Sequence, residues 1–131
     1  MASGAIRIRT HFASPERASR EQLLRLGSAA KSDPNIDLLM KVVPGYLVLV
    51  DSHRQIFACN EEIRRALALD ENRLHVGPRP GELLRCDHAK EGPSGCGTSL
   101  QCRKCGLLLT VIACQERQSP MEGECTLSRT R

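Results

Sequence analysis

Apolar positions recur with a helical period in the first third of the chain. Ala18, Leu23, Leu26 and Ala30 fall on one face, and Arg17, Arg20 and Arg25 lie off it, the pattern of a helix that buries one stripe and wets the other. Ser14 supplies a cap, Pro15 suits the first helical position, and Glu16 favours the positive end of the dipole. A helix is therefore expected from Pro15 to about Ala30, preceded by a flexible arm over residues 1–13. Asp33-Pro34 interrupts the chain, and Ile36–Val43 makes a second, short amphipathic helix that Pro44-Gly45 ends.

The period then changes from helical to extended. Tyr46–Val50 and Gln55–Cys59 are β-rich runs, and the polar Asp51–Arg54 between them predicts a hairpin. Asn60 caps a further helix over Glu61–Leu69, with Ile63, Ala66 and Leu67 as its buried stripe. Residues 77–97 hold eight glycines and prolines and predict a long irregular stretch, relieved only by a brief helix at Glu82–Arg85. Thr98 or Ser99 caps a helix from Leu100 to Gln115. Its second half, Leu107–Cys114, is apolar almost all round and is expected to be buried, with a strand as the alternative. A polar link follows, then a strand beginning at Glu124 and running to Ser128.

Composition narrows the class. The chain has 131 residues, enough for one core. No apolar run approaches the roughly 20 residues of a membrane-spanning helix, and the start lacks the apolar stretch of a secretory leader. A cytoplasmic, reducing setting is the expectation, because seven cysteines is an odd number for a secreted disulfide framework. Net charge is +4, with basic and acidic residues interspersed, and aromatics make up 2% of the chain. A nucleic-acid surface wants clustered cations or stacking rings, so no nucleic-acid partner is expected. Nucleotide-cradling, nucleophile-elbow and zinc-protease motifs are all missing from the sequence, and the chain reads as a non-enzyme.

The order of elements, carried by Pro44-Gly-Tyr-Leu-Val-Leu-Val-Asp51, Arg54-Gln-Ile-Phe-Ala-Cys-Asn60 and Gly81-Glu-Leu-Leu-Arg-Cys86, resembles a PAS sensor domain. Arg79-Pro-Gly-Glu-Leu-Leu-Arg-Cys-Asp-His-Ala89, Gly95-Cys-Gly-Thr-Ser99 and Cys102-Arg-Lys-Cys-Gly106 make it similar to the cysteine-rich PAS domains of bacterial sensor histidine kinases. The resemblance implies an α+β fold with an antiparallel sheet and flanking helices, lacking its last two strands here. It implies an N-terminal helical segment (14–43) that dimerises and signals, and a PAS-like domain (44–131) with a Cys-rich loop at 77–106. The expected partners are a second copy of the chain and, in longer relatives, an effector kinase. Without its last strands the first strand is an exposed edge, which favours pairing.

Four of the seven cysteines fall within 20 residues, spaced Cys86-x9-Cys96-x5-Cys102-x2-Cys105. A Cys-x2-Cys pair aims two sulfurs one way. Cys102 and Cys105 are placed in the opening turn of a helix, a position that favours the ligating thiolate. Cys96 lies among glycines that let the backbone wrap, and Cys86 closes a tetrahedron. Arg85, Arg103 and Lys104 flank these thiols and offset the negative charge of a four-thiolate site. Metal ligation is the leading expectation, with a zinc ion as cofactor and an iron–sulfur cluster as the alternative. His88, two residues after Cys86, is an alternative zinc ligand. A thiol–disulfide switch between Cys102 and Cys105 competes with metal. Cys59, Cys114 and Cys125 read as buried free thiols, each a small hydrophobe.

Overall fold

The computed structural model describes residues 12–70 and 77–127. It is a mixed helical and antiparallel structure that divides into two units, one formed by Glu16–Pro80 and the other by residues 12–15 with 81–127.

The first unit opens with α1 (Arg20–Ser32) and α2 (Pro34–Val42). Helix α1 begins five residues later than its apolar period predicts. Ser19 is the cap, its hydroxyl accepting the Gln22 N–H while the Gln22 side chain accepts the Ser19 N–H. This reciprocal box satisfies two orphan amides at once, which Ser14-Pro15 does not offer. The residues before it stay extended because buried side chains hold them. Gln55 accepts the Ala18 N–H at 2.6 Å, and Arg79 donates to the Glu16 carbonyl at 2.6 Å. Asp33 does not merely interrupt the chain: its carboxylate accepts the N–H groups of Asn35 and Ile36 and starts α2, with Pro34 in the first turn.

Strands β1 (Val48–Val50) and β2 (Ile56–Cys59) pair antiparallel, Val48 opposite Cys59 and Val50 opposite Ile56. Between these pairs the register slips, Leu49 facing Ala58, so that Phe57 is the extra residue of a bulge. The turn is built by Asp51, whose carboxylate accepts the N–H groups of His53 and Gln55. Asn60 caps α3 (Glu61–Leu67) through the Ile63 N–H, and its amide donates to the Gly45 carbonyl at 2.8 Å. The expected stripe of α3 is narrower than its sequence suggests, with Ile63 buried and Ala66 exposed. Leu23, Ala30, Ile56, Cys59 and Ile63 are the buried apolar residues of this unit, and Arg79 is fully buried beside the turn, donating to the His53 carbonyl at 2.9 Å. A cavity of about 260 Å³ lies among α1, α2, β2 and α3, lined by Leu23, Ala30, Ile36, Met40, Phe57 and Cys59 among others.

In the second unit the glycine- and proline-rich stretch carries α4 (Pro80–Leu83) and α5 (His88–Glu91). The loop after them is organised by hydrogen bonds. Thr98 is fully buried, its hydroxyl donating to the Gly95 carbonyl at 2.7 Å and accepting the Ser94 N–H. The helix expected from Leu100 to Gln115 is two elements: a 3-10 turn, Leu100–Lys104, and α6, Gly106–Arg117. Cys105 separates them in an extended conformation, φ −75° and ψ 115°. Leu107–Cys114 is helical, not a strand, and within it only Leu108 is buried, with Leu109 and Cys114 exposed. The strand expected from Glu124 is not formed over residues 121–127, and Ser128 lies outside the described residues. The sheet among the described residues therefore has two strands. Of the expected N-terminal arm only Phe12 and Ala13 are described, and Ala13 is anchored: it is buried against Cys102 and Leu108, and its N–H donates to the Gly97 carbonyl at 2.9 Å.

Candidate thiol centre

Five cysteines occupy the second unit's loops and helix starts: Cys86, Cys96, Cys102, Cys105 and Cys125. Helix α4 and the turn after it position the first. The Cys86 N–H donates to the Gly81 carbonyl at 2.7 Å, which closes that turn and leaves the thiol half-buried. Cys96 sits between Gly95 and Gly97, both at positive φ (82° and 95°), so the chain doubles back around it. Its N–H donates to the Glu82 carboxylate at 3.0 Å.

Gly81 fixes the approach of these two loops. A Cβ at that position would stand 2.7 Å from the Cys96 sulfur and 3.5 Å from the Cys86 Cβ. Cys86 and Cys96 therefore flank a single backbone position, and the Gly81 N–H donates to the Cys96 sulfur. Burial pushes the Cys96 thiol up to about 11, and the fields of Cys102, Glu82 and Cys105 push the same way against that hydrogen bond.

Cys102 is buried in a small core with Ala13 and Leu108, against which Cys105 and Ile112 pack. The Cys105 N–H donates to the Cys102 carbonyl at 3.1 Å. Cys105 itself caps α6, its sulfur accepting the Leu108 N–H at 3.5 Å. The two members of the Cys-x2-Cys pair thus do not share one helical turn. Cys102 belongs to the 3-10 turn and Cys105 to the cap of the next helix.

Cys125 was not distinguishable in the sequence from a buried thiol, and it is exposed. It reaches this neighbourhood because residues 123–125 run against the start of α6. The Glu124 carbonyl takes the space that a Cβ on Gly106 would fill, and the Cys125 Cα stands 3.4 Å from that point. The Cys125 side chain is hydrogen-bonded to that of Cys105, and its sulfur accepts the Leu107 N–H. Burial raises the Cys125 thiol, and the Cys105 and Cys86 thiols add to it. Three of the five sulfurs thus accept a backbone N–H: Cys96 from Gly81, Cys105 from Leu108 and Cys125 from Leu107.

His88 directs Nδ1 to Glu91 at 2.7 Å within its own short helix. Arg85, Arg103 and Lys104 are exposed. Cys114 is exposed on α6, against the expectation of burial, whereas Cys59 is buried in β2 with its thiol raised chiefly by that burial. Among the described residues no three His, Cys, Asp or Glu side chains close on one point in the way a single metal ion requires. No helix among them is long and apolar enough to cross a membrane. Comparison with known proteins found no matching family model, no matching curated protein and no matching solved structure.

Proposed function

We propose that this chain is a PAS-type sensory module of bacterial signal transduction, in which Cys86, Cys96, Cys102 and Cys105 hold a metal centre. It acts by binding rather than by catalysis. The observation that carries the proposal is the gathering of these four thiols in one unit. Cys86 and Cys96 flank Gly81, and Cys96 lies within the electrostatic reach of both Cys102 and Cys105. The N–H bonds to sulfur at Cys96 and Cys105 match what thiolate ligands need, since each places a donor against developing negative charge.

The donor set is the four sulfurs, with His88 as the alternative ligand: its Nδ1 bonds Glu91 and its Nε2 is left to ligate. A zinc ion draws four sulfurs onto one point at about 2.3 Å each, and no three ligands close on a point here. An iron–sulfur cluster binds each thiolate at a separate iron and accepts a wider frame. That favours the cluster over the zinc ion expected from the sequence. Such a centre supplies a response to oxygen or redox state. The chain's own part is to present the sulfurs, aim N–H groups at them and couple Cys102 to the core around Ala13 and Leu108.

The signal passes to a second copy of the chain. Leu38, Val42 and Tyr46 are 57%, 61% and 63% exposed, and Leu24 and Leu26 on α1 are also exposed. A hydrophobic surface of that kind supports a homodimer through the N-terminal helical segment, with an effector kinase downstream in longer relatives. The test is metal retention in single variants of protein purified without oxygen. Cys96→Ser and Cys105→Ser each lose most of the bound metal, and Cys59→Ser and Cys114→Ser keep it. Equal retention in all four variants refutes the assignment.

A further inference from the structure

We infer that Cys105 and Cys125 form a reversible disulfide when the protein meets a hydroperoxide, fastening residues 121–127 to the start of α6. This goes beyond the metal centre, to which Cys125 does not belong. The pairing begins in the backbone. Gly106, next to Cys105, has no side chain, and the Glu124 carbonyl occupies that space. Gly123 lies beside Thr110 one turn along, where a Cβ would stand 3.3 Å from the Thr110 Cβ and 3.6 Å from the Gly106 carbonyl oxygen. Two glycines, one on each strand of the crossing, thus seat the segment on the helix. The crossing leaves the Cys105 and Cys125 side chains in hydrogen-bond contact. Bond formation shortens that contact to about 2 Å, and residues 121–127 form no helix or strand that resists the movement.

The neighbouring thiols are worse placed. Cys102 is packed in the core with Ala13 and Leu108, and drawing it out exposes that core. Cys96 is held against Gly81. Cys125 is exposed and meets the oxidant first. Its sulfur attacks the peroxide O–O bond, giving a sulfenic acid and one molecule of water or alcohol. The Cys105 sulfur then displaces the sulfenic oxygen, the S–S bond forms, and the second oxygen leaves as water. The two thiol protons end on the two leaving oxygens, and the two electrons lost by sulfur reduce the peroxide.

The experiment treats the full chain with hydrogen peroxide, as purified and again after chelation, followed by alkylation and tryptic mapping. The expected product joins peptide 105–117 to peptide 118–129 within one molecule. It persists in Cys114→Ser, disappears in Cys125→Ser, and reverts with dithiothreitol. A link from peptide 91–103 to peptide 105–117 as the main product overturns the inference, as does a bond between molecules or no bond in either arm. The map is read independently of metal content. Absence of metal with this link intact removes only the proposed centre, and metal with no link removes only the disulfide.

Discussion

At the scale of single residues, Arg79 and Cys96 carry the most testable consequences. Arg79 is fully buried, and its guanidinium donates to the carbonyls of His53 and Glu16. It joins the hairpin turn to the chain entering α1, two segments 37 residues apart. Removing it orphans both carbonyls, each at about 1–3 kcal/mol. Arg79→Met is expected to lower stability by roughly 3 kcal/mol, read as a fall in the urea midpoint with an unchanged slope. The sequence shows Arg79 as one charge in a loop, and nothing local marks it as interior. Its partners come from distant stretches, so only the fold reveals it.

The Cys96 thiol gives a pH signature in chelated protein. Its value is raised from 9.0 to about 11 in the folded chain, and the unfolded chain ionises first. Its stabilising contribution is fully present below pH 9 and is lost as pH climbs to about 11. Urea midpoints should fall across that interval, and Cys96→Ala should flatten the fall. A wild-type profile that rises there contradicts the burial assigned to this thiol.

At the scale of elements, local chemistry was the most legible part of the sequence. The Asp51 turn, the Asn60 cap and both hairpin strands follow from residues within a few positions of each other. Two local signals compete at the start of α1. Ser14-Pro15 and Ser19-x-x-Gln22 both mark a helix start, and the second prevails because it satisfies amides from both sides. Ser19→Ala is therefore expected to cost about 1 kcal/mol, and Ser14→Ala close to nothing, measured by thermal unfolding followed by circular dichroism. The break at Cys105 was hidden because an apolar run masks a cap whose acceptor is sulfur. A cysteine is not among the residues that ordinarily announce a helix start. Cys125 was hidden for a different reason: its approach to Cys105 depends on Gly106 and Gly123, which pattern alone does not pair.

At the scale of the whole molecule, the apolar side chains of α2 are left facing solvent among the described residues. Leu38, Leu39 and Val42 on α2 are each at least half exposed, and α2 has no buried residue at all. The proposed dimer predicts that light scattering returns a dimer mass that falls to the monomer mass in Leu38→Glu/Val42→Glu. A wild-type chain that stays monomeric at every concentration contradicts that part of the account. The helices and the antiparallel hairpin are legible from period, and they agree with the α+β class that the PAS resemblance implies. The extent of the sheet is not legible, because Glu124–Leu127 carries strand propensity but lies as irregular chain against α6.

The central claim concerns the four thiols of the second unit, and metal content tests it most directly. Protein purified without oxygen and analysed for iron and zinc is predicted to hold about four iron atoms per chain, with a brown colour that fades in air. Near-stoichiometric zinc keeps the metal centre and replaces the cluster with a single ion. Protein that carries neither iron nor zinc in near-stoichiometric amount contradicts the account.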